Sequence, residues 1–206
     1  MISAAEAMQR LQEGNDRFAA GISEQLGHTT ALRRRELLSG QEPLAIILGC
    51  SDSRVPVEIV FDQGLGDLFV IRVAGNVVVP SLVGSIEFAA AKFGTRLVVV
   101  LGHTSCGAVQ ATLEELQREP EDRSPNISAI VGRIRPSVET LLETELRHDR
   151  DSLMHHAVRA NIRASANQLR HASPLLENLI QNDGLLISGA EYNLETGLVD
   201  FFENSI

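Results

Sequence analysis

The sequence predicts an α/β fold: a central, mostly parallel sheet of four strands plus a C-terminal edge strand, flanked by helices. Three observations carry this reading. Short, continuous apolar runs of strand length recur at 44–48, 68–73, 97–101 and 185–187, the pattern of buried strands. Helical stretches at 81–93 and 108–118 separate the early runs, and strands alternating with helices imply parallel pairing through right-handed crossovers. The chain has 206 residues, 44% of them hydrophobic, which suffices for one such domain with a full core.

Taken in order, Ser3-Ala4-Ala5-Glu6 has capping-box form, and Met8, Leu11 and Phe18 then fall on one face of a first helix. A second short helix is expected over 30–38, stopping at Gly40, with Arg33-Arg34-Arg35 as a solvated run. Residues 119–128 are polar, carry two prolines and read as a surface loop. Helical stretches follow at 130–145 and 152–171, and Ser173-Pro174 starts another with proline at its first position. A last, alternating strand is expected at 198–202. There is no internal repeat, low-complexity segment or linker, so residues 1–206 read as one domain: a helical arm (1–40), a core (41–118), a helical region (119–183) and C-terminal strands (184–206).

Composition excludes several functional classes. A formal net charge of −9 argues against a nucleic-acid backbone or an anionic membrane as the principal partner. No apolar run approaches the roughly 20 residues of a membrane span. The opening Met1-Ile2-Ser3-Ala4-Ala5-Glu6 lacks the basic start and apolar stretch of a signal peptide, so the cytoplasm is the expected location. Two cysteines in the whole chain make a disulfide scaffold implausible.

Two of the strands end alike. The run 44–48 leads into Gly49-Cys50-Ser51-Asp52-Ser53-Arg54, and 97–101 leads into Gly102-His103-Thr104-Ser105-Cys106-Gly107. In open parallel sheets, ligands bind beyond the carboxyl ends of the strands. If the two strands are neighbours, Cys50, Asp52, His103 and Cys106 converge, and two sulfurs with an imidazole select zinc over magnesium or calcium. Cys106 should open a helix whose dipole favours its thiolate, and the glycines should let the backbone turn sharply and leave room beside the metal. On an extended segment Asp52 and Arg54 would point the same way and form a bidentate pair that holds the carboxylate ionised. The two cysteines form no Cys-x-x-Cys motif, which speaks against a redox role. Glu58 and Asp62, four apart, suit a solvated helical face.

These residues resemble the β-class carbonic anhydrases. Cys50-Ser51-Asp52-Ser53-Arg54-Val55 and Gly102-His103-x-x-Cys106-Gly107 match the two signature motifs of that family. The likeness continues through Gly66-Asp67-Leu68-Phe69-Val70-Ile71-Arg72, Glu87-Phe88-Ala89, Leu11-Gln12-Glu13-Gly14-Asn15 and the stretch from Gly189 to Gly197. It implies that Cys50, His103 and Cys106 are the permanent zinc ligands and that Asp52 and Arg54 form the family's dyad. Asp52 would accept a hydrogen bond from zinc-bound water or, in a closed form, take the fourth position itself. The resemblance further implies that Gln41 orients substrate, that Phe69 and Phe88 line the pocket with Gly107 beside it, and that the N-terminal helices pack on a partner subunit in a homodimer or dimer of dimers.

Several positions depart from the family pattern. Phe88 stands where the family often has tyrosine. Ile47 replaces the tryptophan of a regulatory bicarbonate site, although Arg72 and Tyr192 match its other members. Gln41 points to the subgroup with an open site. Val57 and Phe93 differ at positions expected to pack only. The implied activity is zinc-dependent, reversible hydration of carbon dioxide by zinc-bound hydroxide. Alternatives are hydrolysis of carbonyl sulfide or carbon disulfide on the same site, and a non-enzymatic zinc-stabilised interaction domain. No proton shuttle is assignable: His28, His148, His155, His156 and His171 qualify only because histidine titrates near neutrality, and His155-His156 reads as a surface pair.

Overall fold

The structure is a computed structural model that describes residues 2–24, 30–116 and 124–202. His28, the end of the stretch predicted over 108–118, and the first half of the predicted 119–128 loop lie outside them. Helix α1 (Ala4–Ala19) starts where the capping box places it, with the Ser3 hydroxyl accepting from the Glu6 N–H at 3.2 Å. Helix α2 (Ala31–Glu36) is capped by Thr30 and runs through a 3₁₀ turn, Leu37–Ser39, to Gly40 at φ 151°.

The strands are β1 (Ala45–Gly49), β2 (Leu68–Arg72), β3 (Leu97–His103), β4 (Leu186–Tyr192) and β5 (Val199–Phe201). Between them lie α3 (Val57–Val60), α4 (Pro80–Lys92), α5 (Gly107–Glu115), α6 (Pro125–Val138), α7 (Arg150–Arg170) and α8 (Pro174–Asn182). They form one five-stranded sheet in the order β2-β1-β3-β4-β5. The first four strands pair in parallel and β5 lies at the edge, as expected, and β5 runs antiparallel to β4.

Every residue of β1 and β3 is buried, because helices cover both faces of the sheet. Ile46, Leu48, Val98 and Val100 face a core shared with α4 to α8, whereas Ala45, Ile47, Leu97, Val99 and Leu101 face α1 and α3. Helix α1 buries Ala7, Met8 and Leu11 in this second core of its own chain. Asn15 secures it, donating to the Val60 and Gly197 carbonyls at 3.0 and 2.9 Å and accepting from the Val199 N–H at 2.8 Å.

Three sequence readings need correction. Residues 125–128 of the predicted loop begin α6, because Pro125 sits at the first helical positions, where its missing N–H costs nothing. The helix expected over 130–145 ends at Val138, just past Pro136, and continues as two 3₁₀ segments, Glu139–Glu143 and Glu145–His148. Asp62 is not on a solvated face: it is 1% exposed, at φ 49°. It accepts from Arg17 Nε at 2.6 Å, from the Ser23 hydroxyl, and from the Glu24 N–H at 3.0 Å.

Candidate metal centre

From β1 the chain runs outward to β2 on one side, and from β3 to β4 on the other, so β1 and β3 flank the point where the winding reverses. Gly49 lies beside Leu101, which puts both strand ends at the same edge of the sheet, where such folds bind ligands. Cys50 follows β1, His103 ends β3, and Cys106 is the N-cap of α5. One donor atom from each of the three lies within 4.8 Å of the others, and the sulfurs are 4.0 Å apart. Cys50, His103 and Cys106 are 4%, 0% and 1% exposed.

The imidazole is set for a metal. His103 Nδ1 lies 2.9 Å from the Thr104 carbonyl, which can only accept, so Nδ1 carries the proton and Nε2 keeps its lone pair. Nε2 is buried and has no hydrogen-bond partner, a costly state for a polar atom unless something else satisfies it. Two sulfurs and an unpartnered imidazole nitrogen fit zinc, which favours soft ligands in tetrahedral array. The Cys106 S–H beside it, with smaller help from the Gly75 N–H, outweighs burial and holds the Cys50 thiol well below its usual range. The same neighbour, Cys50, and burial push Cys106 up.

Asp52 stands beside this trio but is not a member of it. Arg54 grips it bidentately, Nε to Oδ1 at 2.9 Å and Nη2 to Oδ2 at 2.7 Å, and Oδ2 lies 3.7 Å from His103 Nε2. The Arg54 guanidinium holds the carboxyl far below the ordinary carboxylate range. The pair forms, though not on an extended segment as expected. Residues 52–55 make a turn in which the Val55 N–H donates to the Asp52 carbonyl at 3.0 Å and the Arg54 N–H to Asp52 Oδ1 at 2.9 Å. Arg72 braces the loop from β2, donating to the carbonyls of Cys50 at 2.9 Å and Asp52 at 2.6 Å.

The glycines act differently from the sequence reading. Gly49, Gly102 and Gly107 do not supply the sharp turns. The left-handed residues around the site are Ser105, at φ 56°, Gly75, at φ 70°, and Asn76, at φ 45°. Gly102 makes room for α7: an added Cβ would stand 2.5 Å from Ile162 Cδ1. The sequence reading also missed a third contributor, the Ala74–Asn76 turn after β2. Its Gly75 N–H donates to Cys50 Sγ at 3.4 Å, and the Gly75 carbonyl accepts from Asn161 Nδ2 of α7 at 2.8 Å. The Gly75-Asn76 dipeptide after a strand was the available signal; nothing marked Asn161.

Of the remaining sequence candidates, Gly107 adjoins Cys106 in the chain, and the other described ones lie away from the trio. Phe69 on β2 and Phe88 on α4 form an aromatic group with Phe93, ring centroids 5.6–6.2 Å apart, in which Phe88 is 52% exposed. Gly107 is the exposed first residue of α5. Gln41 is exposed beyond the amino end of β1, lining a surface cleft with Phe93, at the opposite end of the strand from Cys50. His155 and His156 are exposed on α7, as read.

Comparison with known proteins agrees with this site. A family model described as carbonic anhydrase matches residues 45–199. The chain is 39% identical over 193 residues to carbonic anhydrase 2 of Mycobacterium tuberculosis, covering 93% of this chain and 89% of that protein. It is 48% identical over 133 residues to a carbonic anhydrase of Mycolicibacterium smegmatis, covering 64% and 63%. Among solved structures, the β-carbonic anhydrase CcaA superposes with a TM-score of 0.77 at 26% identity, covering 95% of each chain. The β-carbonic anhydrase CafA of Aspergillus fumigatus gives 0.74 at 27% identity, covering 84% and 81%. With the motifs, the sheet and the Cys-His-Cys cluster in agreement, the chain belongs to the β-carbonic anhydrase family.

Proposed function

We propose that this carbonic anhydrase hydrates carbon dioxide reversibly to bicarbonate and a proton with zinc held by Cys50, His103 and Cys106, and with Asp52 and Arg54 as an orienting dyad. The observation that carries the reading is the buried Cys-His-Cys trio, with its unpartnered Nε2, beside a carboxylate that Arg54 holds back. When bound, zinc lowers the pKa of a water molecule from about 15.7 to roughly 7 and so supplies a hydroxide nucleophile near neutral pH.

The chain's own residues do the rest. Arg54 keeps Asp52 ionised, so its carboxylate can only accept a hydrogen bond and thereby fixes where the nucleophile's lone pair points. The Thr104 carbonyl locks the His103 tautomer, and the Thr104 N–H is itself anchored on the Tyr192 carbonyl at 3.0 Å. Arg54 Nη2 also reaches the Ser105 carbonyl at 3.4 Å, tying the two ligand-bearing loops together. Phe69, level with Ile46 and packed on Phe93 at the Gln41 end of the sheet, would wall carbon dioxide in a partner's site rather than its own.

The functional unit in this reading is a homodimer or a dimer of dimers. Support comes from α2, which buries none of its residues, from Leu38 at 86% exposure, and from the exposed Phe88 near the open β2 edge. Gln41 cannot reach its own chain's sulfurs and would serve a partner's site. Sedimentation showing only monomers at micromolar concentration would remove this part.

Metal analysis combined with stopped-flow carbon dioxide hydration from about pH 6.5 to 9 tests the whole. The expected result is one zinc per chain and activity that a chelator removes and zinc restores. Purified protein without zinc, or activity indifferent to chelation, would overturn it.

A further inference from the structure

We propose that Asn161 is a positioning residue of the metal centre: by holding the Gly75 carbonyl, it aims the Gly75 N–H at the Cys50 sulfur. The inference rests on the zinc reading above. Asn161 is 2% exposed on α7, and its Nδ2 donates to the Gly75 carbonyl at 2.8 Å. On the other side of the same residue, the Gly75 N–H lies 3.4 Å from Cys50 Sγ.

Gly75 needs to be held. It bridges two peptide groups that face different partners, and its backbone is left-handed, at φ 70° and ψ 20°. A Cβ there would stand 2.7 Å from Ile134 Cδ1 and 3.1 Å from the Ala108 Cβ, so α6 and α5 wall the turn on the side away from α7. Only glycine fits, and glycine is the residue with the most backbone freedom to lose. The Asn161 bond removes that freedom. The Gly75 N–H then withdraws charge from one thiolate, which sets how firmly that sulfur grips the cation and how much charge it donates. Outer-shell partners of this kind govern ligand orientation and metal affinity.

Two features separate this from ordinary packing. Asn161 is a buried amide on a helix face that it shares with Ala157, Val158, Ile162, Ser165 and Ala166, and its donor goes to the metal loop rather than to its own helix. Its neighbour Ile162 occupies the space left by Gly102, so α7 contacts both the Gly75 turn and the residue before His103.

The test uses cadmium-113-substituted and zinc-loaded full-length protein. In the wild type, the Gly75 amide proton should be shifted downfield and show a scalar coupling to cadmium through the N–H···S bond. Asn161→Ala and Asn161→Ser should weaken or abolish that coupling and bind zinc about tenfold to a hundredfold less tightly in chelator competition. Cobalt-loaded protein should show a displaced sulfur-to-metal absorption band, which general loss of stability would not move. A wild-type Gly75 amide without coupling overturns the proposal even if neither variant folds. So do folded variants that keep the coupling, the band and the affinity. A wild type that binds no zinc instead overturns the zinc reading, and this inference with it.

Discussion

Two aspartate–arginine pairs, built on aspartates ten residues apart, sit in opposite surroundings. Asp52 and Arg54 pair at the metal centre with side chains 18% and 54% exposed, whereas Asp62 and Arg17 pair with 0% and 29% exposed. The Asp52 carboxylate answers to one arginine and that residue's own N–H, and stands 3.7 Å from His103 Nε2. Asp62 is enclosed by Arg17, Ser23 and the Glu24 N–H and joins α1 to the end of α3. Burial raises the Asp62 carboxyl, but the hydrogen bonds of Ser23, Arg17 and Glu24 outweigh it and hold it low. The same two residue types thus make a partly exposed pair, which the proposed function reads as the orienting dyad, where water has access, and an enclosed structural pair where it does not.

The sharpest way to break this comparison is to remove each pair in turn. Asp52→Asn or Arg54→Ala should cut turnover by about a hundredfold or more while zinc stays bound and the melting temperature moves by a few degrees, read by stopped-flow hydration and calorimetry. Near-normal turnover with zinc retained would take the dyad out of the mechanism. Asp62→Ala should do the reverse, costing about 3 kcal/mol in denaturant unfolding because it strands Arg17 and adds strain at a positive φ, with turnover per bound zinc unchanged. Asp62→Asn, which tolerates that backbone, should cost less.

A smaller effect sharpens the contrast in acid. Both carboxyls sit below their ordinary values in the folded chain, so each contributes stability above the unfolded aspartate value near pH ~3.9 and loses it as pH falls through its lower native value. Asp62→Asn and Asp52→Asn should each flatten the loss of stability below about pH 4, Asp52→Asn by the smaller amount because solvent screens its more exposed pair. Neither group titrates near neutrality, so the pH dependence of turnover there must come from elsewhere. A wild-type stability curve flat down to pH ~2 would contradict both assignments.

Legibility in the sequence followed locality. Strands β1 and β3 are visible because a strand buried on both faces is largely apolar, and the half-covered edge strand β2 because Leu68 to Ile71 still form a continuous apolar run. Only the first residues of β4 could be read, since Ser188, Gly189 and Glu191 are buried without being apolar. The ligand loops were legible because each carries its chemistry within a few residues of a strand end. Asp62 misled because spacing alone cannot tell that Arg17 and Ser23 from 38 or more residues upstream close over it. Asn161 was invisible for the same reason, its partner lying 86 residues away.

The most direct measurement is X-ray absorption at the zinc edge of the purified protein. The account predicts two sulfur neighbours at about 2.3 Å and two nitrogen or oxygen neighbours at about 2.0–2.1 Å. In Cys50→Ser protein, one sulfur or the metal itself should be lost. A zinc shell without sulfur, or no zinc edge at all, would contradict it.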